Sequence, residues 1–197
     1  MYRDGKIYDE IDKVIIEIFQ DYGITRFPID EKDLCKKMGV ALIAYSEFER
    51  SERKLLMKKS KSGFFVKESK ECPPTIYYND KIESNGAIRF TIFHELKHYV
   101  FDDNDDSDDD LADYFAAHLM CPTAYFMIKG VDTANEIASC CGMSIEAARN
   151  ACSRIKNHRR KYNRNLFDYE VSLIQLIEPV LLEVHEFEII EKGGDDV

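Results

Sequence analysis

The chain has 197 residues, 45% hydrophobic and 32% charged, with a formal net charge of −10 at pH 7. That size and balance suit one globular domain, or one with a small appendage, whose core needs no disulfide staples. The excess of acid argues against a general nucleic-acid binder, because neutralising phosphates takes clustered Lys and Arg.

The opening "MYRDGKIYDEIDKVII" spreads its charges and has no continuous apolar stretch of the secretory kind. No apolar run approaches the ~20 residues of a membrane span. The best, Val171 to Val184, is broken by Gln175, Glu178 and Pro179. The six cysteines (Cys35, Cys72, Cys121, Cys140, Cys141, Cys152) form no C-x-x-C pair. Free thiols in a reducing cytoplasm are expected, not disulfides or a cysteine-held zinc.

In chain order, Ile7, Ile11, Val14, Ile15, Ile18, Phe19 and Tyr22 fall at helical spacing, so an amphipathic helix opens the chain and closes near Gly23. After Pro28, Asp30 can cap a short helix ending at Gly39. "VALIAYS" (40–46) is strand-like, and the polar "EFERSERKLLMKKSKSG" is expected to be a loop or arm. "FFVK" and "TIYYN" (75–79) read as strands, rich in aromatic and β-branched residues. From Ala87 to Phe101 the pattern is helical. "DDNDDSDDD" (102–110), seven of nine residues Asp, reads as a solvated loop whose spacing does not match a calcium-binding EF-hand. Ser107 or Asp108 would cap a helix from Asp109 to Met120, stopped by Pro122. Helices near 132–141, 145–157 and 166–178 follow, then a strand-like "VLLEVHEFEII".

The chemistry concentrates in "RFTIFHELKHYVF", Arg89 to Phe101. Positions four apart share a helix face, with Cβ atoms about 5–6 Å apart, so His94 and His98 can aim two imidazoles at one point. Glu95 is turned about 100° from His94, beside that point and poised over a water bound there. Two neutral histidines favour a borderline-soft ion, zinc first. Zinc lowers the pKa of its water toward ~7, and a carboxylate can take the proton as that water attacks a carbonyl. Such H-x-x-x-H pairs also arise by chance. Here, however, Phe90, Ile92, Phe93, Leu96, Tyr99 and Val100 make the segment a buried helix, where two histidines and a glutamate are costly without partners. A third ligand is expected from "DDDLADYFAAHLMCP", with Asp109, Asp113 and His118 as candidates. Asp109 and Asp113 share one face; His118 lies further along and does not pair with Asp109 at i to i+4 spacing.

With "PIDEKDLCKKMGVAL", "GFFV" and "TIYYN" before it, and "DDLADYFAAHLMCP" and "EIASCCGMSIEAAR" after it, this segment resembles the ImmA/IrrE family of zinc metallopeptidases over roughly residues 28 to 155. The resemblance implies an α+β zincin-like domain, a small sheet packed on the HExxH helix with a helical C-terminal portion. The expected division of the chain is 1–128 (peptidase domain), 129–165 (helix-turn-helix-like segment) and 166–197 (helix and strand-like tail), the last thirty residues lying outside the resemblance. The resemblance implies that His94, His98 and Asp109 hold one zinc, that Glu95 is the general base, and that Asp113 supports a ligand histidine. The family ligand is normally Glu, so Asp109 is one methylene short; a closer helix, a neighbour such as Asp108 or Asp110, or weaker binding would compensate. Lys97 stands where the family usually has Gly, is expected to point away from the ligands, and is read as neutral. Members are typically encoded by bacteria and their mobile elements. The implied reaction is cleavage of a helix-turn-helix repressor, which releases the genes it silences. "TIYYN" is the expected edge strand for an extended substrate, with Tyr78 and Asn79 as substrate contacts. The rival is a non-catalytic regulatory or binding module with a vestigial metal site.

"RNACSRIKNHRRKYNR" (149–164) carries seven Lys/Arg and no acid after a helix–turn–helix rhythm around Gly142. A solvated helix face is the preferred reading, over an acidic partner or DNA.

Overall fold

The computed structural model describes residues 5–102 and 109–190. It is an α+β protein whose chain packs into two compact units, interleaved in sequence. One unit gathers 28–120 with 142–144; the other gathers 1–27, 121–141 and 145–197.

The first of these holds α2 (Glu31–Lys37), β1 (Ala41–Ala44), a 3-10 turn (Tyr45–Glu47), α3 (Arg50–Lys59), β2 (Gly63–Val66), β3 (Thr75–Tyr78), α4 (Asn85–Val100) and α5 (Asp109–Met120). Asp30 caps α2 as its sequence suggests, accepting from the amides of Lys32 and Asp33 at 3.0 and 2.9 Å. Gly39 follows with φ +76°, the left-handed turn that stops the helix. The sheet runs β1-β3-β2, with β1 parallel and β2 antiparallel to β3. α4 packs on β2 and β3 and on α5. It is covered on more than one side, so polar as well as apolar residues of it are buried; Ile92, Phe93 and Leu96 are essentially inaccessible. Arg89 ties the helix down, donating to the Ile29 carbonyl and lying 3.5 Å from Glu31. Near its start, a Cβ on Gly86 would come within 2.5 Å of the Ser144 amide, so only glycine lets residues 143–144 lie so close.

The other unit holds α1 (Gly5–Asp21), α6 (Thr123–Lys129), α7 (Ala134–Cys141), α8 (Ile145–Tyr162), β4 (Leu166–Phe167), α9 (Asp168–Ile177), α10 (Val180–Val184) and β5 (Ile189–Ile190). α8 packs against α6 and α7; α9 packs against α1, α6 and α10. Phe19, Phe27, Tyr125 and Phe126 form an aromatic cluster, with Phe27 5.1 Å from Phe126 and 5.4 Å from Tyr125 between ring centres.

Several expectations are corrected here. The strand expected over 40–46 ends at Ala44, with Tyr45 and Ser46 in the 3-10 turn, and the segment read as a loop or arm folds into α3. Its sequence suits a helix lying on the surface: Leu55 is 65% exposed and no residue of α3 is buried. α6, unexpected from sequence, starts directly after Pro122. The strand-like tail divides: Val180–Val184 is helical after Pro179, and only Ile189–Ile190 pairs as a strand, parallel to β4. The caps Ser107 and Asp108 lie outside the described residues. All six cysteines are free thiols, and no helix among the described residues is long and apolar enough to cross a membrane.

Candidate metal centre

Ser84 starts α4, its hydroxyl accepting from the Ala87 amide at 3.3 Å. Three turns along, His94 and His98 stand on one face with ring centres 5.7 Å apart. Asp109 opens α5, packed alongside α4, and turns its carboxylate back so that Oδ1 lies 3.8 Å from His94 Nε2. One donor atom from each of His94, His98 and Asp109 lies within 4.8 Å of the other two, the one such group of three or more among the described residues. The shorter aspartate therefore reaches the histidines from the first turn of α5. Asp110 is not part of the group, and Asp108 lies outside the described residues.

Asp113, one turn after Asp109, meets His94 from the other side: Nδ1 is 2.8 Å from Asp113 Oδ1. A carboxylate there makes Nδ1 the protonated nitrogen and leaves the Nε2 lone pair facing His98 and Asp109. Burial lowers the His94 pKa, but the Asp113 hydrogen bond, with the charges of Glu95, Asp113 and Asp109, more than offsets this and raises it above the ordinary histidine value. The donor set of two imidazoles and a carboxylate, one imidazole already oriented, fits zinc.

Glu95 is 8% exposed. Burial raises its pKa above the ordinary glutamate value, against the lowering influence of His94, His98 and a hydrogen bond from the Phe65 backbone N–H. That bond comes from the sheet's margin. The Asn79 N–H donates to the Ser62 carbonyl, placing 62, 64 and 66 in the bonded positions of the antiparallel ladder. The N–H and C=O of Gly63 and Phe65 therefore turn to the open edge of β2. Gly63 brings that edge onto α4: a Cβ there would lie 2.7 Å from Thr91 Cγ2 and 2.8 Å from the Tyr77 carbonyl. Sequence reading missed the Phe65 amide, although the alternation in "GFFV" holds the signal. It also missed Tyr45, a buried phenol that donates to the Ser60 carbonyl at 3.2 Å. Burial first, then the charge of Glu95, raises its pKa.

The other expected residues fare differently. β3 is the central strand, so "TIYYN" is no edge. Tyr78 is buried in that strand. Asn79 is spent on local structure: Nδ2 donates to the Lys61 carbonyl at 2.9 Å, and Oδ1 accepts from the Lys81 amide at 3.0 Å. The margin beside Glu95 belongs to β2. His118 stacks on Tyr114 with ring centres 3.8 Å apart. Lys97 is 2% exposed, its ammonium 5.8 Å from the Phe101 ring centre.

No curated protein and no solved structure matches the chain. One family profile does: the peptidase family's IrrE N-terminal-like domain matches residues 35–153, which takes in β1 to α5 and every residue of this centre. Over more than half its length, with the paired histidines and the acidic residue brought together as above, the chain belongs to this metallopeptidase family.

Proposed function

We propose that the protein is a zinc-dependent endopeptidase. The observation that carries this reading is the meeting of His94, His98 and Asp109 within 4.8 Å, with Glu95 buried beside them. His94 and His98 would hold the ion through ring nitrogens and Asp109 through a carboxylate oxygen. Zinc bound there would supply Lewis acidity and a water nucleophile of pKa near ~7. Glu95 is the general base: it takes the proton from the attacking water and returns it to the leaving amine. Its raised pKa suits a group that must both accept and release a proton, and the Phe65 N–H fixes its carboxylate. Asp113 holds the His94 ring in one tautomer. β2 is an edge strand whose outer margin, with the Gly63 and Phe65 carbonyls, runs next to Glu95, and an extended substrate would add there as a further strand.

The substrate we infer is a helix-turn-helix repressor in a bacterial cytoplasm, cut so that the mobile-element or stress genes it silences are expressed. Family membership and the resemblance of the motifs support this reading. The test is incubation of the zinc-loaded chain with the repressor encoded beside its own gene. A single cleavage is expected, falling about 10²–10⁴-fold in rate in Glu95→Gln. Undiminished cutting by that variant refutes the role of Glu95. A purified chain that takes up no zinc favours the rival, a regulatory module with a vestigial site.

A further inference from the structure

α8 has two unlike sides. Ala148, Ala151, Cys152 and Ile155 are buried, and the basic residues nearest that side are engaged: Arg159 pairs with Asp132 at 3.2 Å, and His158 lies 3.0 Å from Glu170. The opposite side is exposed and runs the whole length of the helix, about 27 Å. It presents Arg149, Lys156, Arg160 and Lys161, with Arg164 just beyond the helix end and Asn150, Ser153 and Asn157 between them. Arg149, Lys156, Arg160 and Arg164 make no ion pair among the described residues. The single acid on this side is Glu146, in the first turn.

We propose that this exposed face of α8 is a docking surface for double-stranded DNA, held through its phosphate backbone. Charge alone would also admit an acidic protein. However, protein interfaces depend on an apolar or aromatic centre, and beyond Ile145 at one end this face has no exposed apolar side chain. Arg, Lys, Asn and Ser are the side chains that grip phosphate oxygens. Single-stranded nucleic acid is bound largely by stacking bases on exposed aromatic rings. Tyr162, at the end of α8, is instead engaged with His158 and Phe167, at 4.9 and 5.1 Å between ring centres. Glu146 in the first turn disfavours insertion of that end between base edges and their phosphates, so the contact is with the backbone and indifferent to sequence. The net charge of −10 does not forbid it. At 0.1 M salt charges are screened beyond ~10 Å, and the local face decides. The proposal does not rest on peptidase activity.

Fluorescence anisotropy of a short labelled duplex of arbitrary sequence, titrated with the full chain and no peptide substrate, tests the proposal. With about four phosphate contacts the affinity should fall roughly 150-fold between ~50 and ~200 mM salt. The triple variant Arg149→Gln, Lys156→Gln, Arg160→Gln should lose most of that salt dependence and bind at least about 30-fold more weakly at ~50 mM salt, with an unchanged melting temperature. The single variant Lys156→Gln should lower the salt exponent by about one. Lys54→Gln with Lys58→Gln, basic residues of α3, should bind like the parent. Absence of duplex binding at ~50 mM salt overturns the proposal. So does equal binding by parent and triple variant, tighter binding of single-stranded RNA, or full competition by an acidic polypeptide at matched charge.

Discussion

α4 and α8 both carry several titratable side chains, and they treat them in opposite ways. α4 buries Glu95, Lys97 and His98 and half-buries His94, whereas α8 leaves Arg149, Lys156, Arg160 and Lys161 in water. Burying a polar or charged group without a partner is expensive, so each such group on α4 must be explained by something near it. For His94 and Glu95 the neighbours are visible: Asp113, Asp109 and the Phe65 amide. On α8 water satisfies the charges, and folding alone demands nothing further of them. Crowding of charge is therefore strong evidence of chemistry where it is buried, and evidence of a partner only where spacing and composition narrow the choice.

Removing a proposed ligand should break this contrast most severely. Asp109→Ala or His98→Ala is expected to take zinc from near one per chain to background, measured by plasma mass spectrometry on dialysed protein. Asp109→Glu should keep it, since the longer side chain still reaches from the first turn of α5. Asp113→Asn is expected to weaken zinc binding about 10–100-fold, read by competition with a chromophoric chelator.

The same residue sets a pH effect in the zinc-free protein. His94 has a raised folded pKa, so its protonated pairing stabilises the fold fully below the unfolded value and is lost as pH rises through the folded one. Chelated protein should lose a little stability in the window opening above pH ~6.5, and Asp113→Asn should flatten that dependence. Zinc affinity should move the other way, rising as the proton leaves. Gly63→Ala, which drives a Cβ into Thr91 and the Tyr77 carbonyl, is expected to cost about 1–3 kcal/mol in urea unfolding. Least of all, neutralising Arg149, Lys156 and Arg160 should change stability by under about 0.5 kcal/mol.

How much of this could be read from the chain follows the same logic. The i, i+4 histidines, the Asp30 cap and the turn at Gly39 depend on neighbours a few residues away, and they stand where spacing puts them. The position of "TIYYN" was not legible. Aromatic and β-branched residues favour strand but say nothing of whether a strand is central or marginal, and the parallel partner β1 lies over thirty residues upstream. α3 was missed because it buries none of its residues and is mostly Lys, Arg, Ser and Glu, with three apolar residues for periodicity to report. In "VLLEVHEFEII" the apolar run was real, but Pro179 opened a helix there, with Glu178 also accepting from Tyr125 at 2.8 Å.

The close approach at Gly86 has a practical corollary. Residues 142–144, though far along the chain, complete the layer around the first turn of α4, where Arg89 also lies within 2.6 Å of the position a Cβ on Gly142 would take. A fragment trimmed after Met120 would keep every residue of the candidate metal centre and yet leave that turn bare. Anyone shortening the protein to a minimal hydrolase should therefore cut beyond residue 144, a limit that the family match, which runs on to 153, respects.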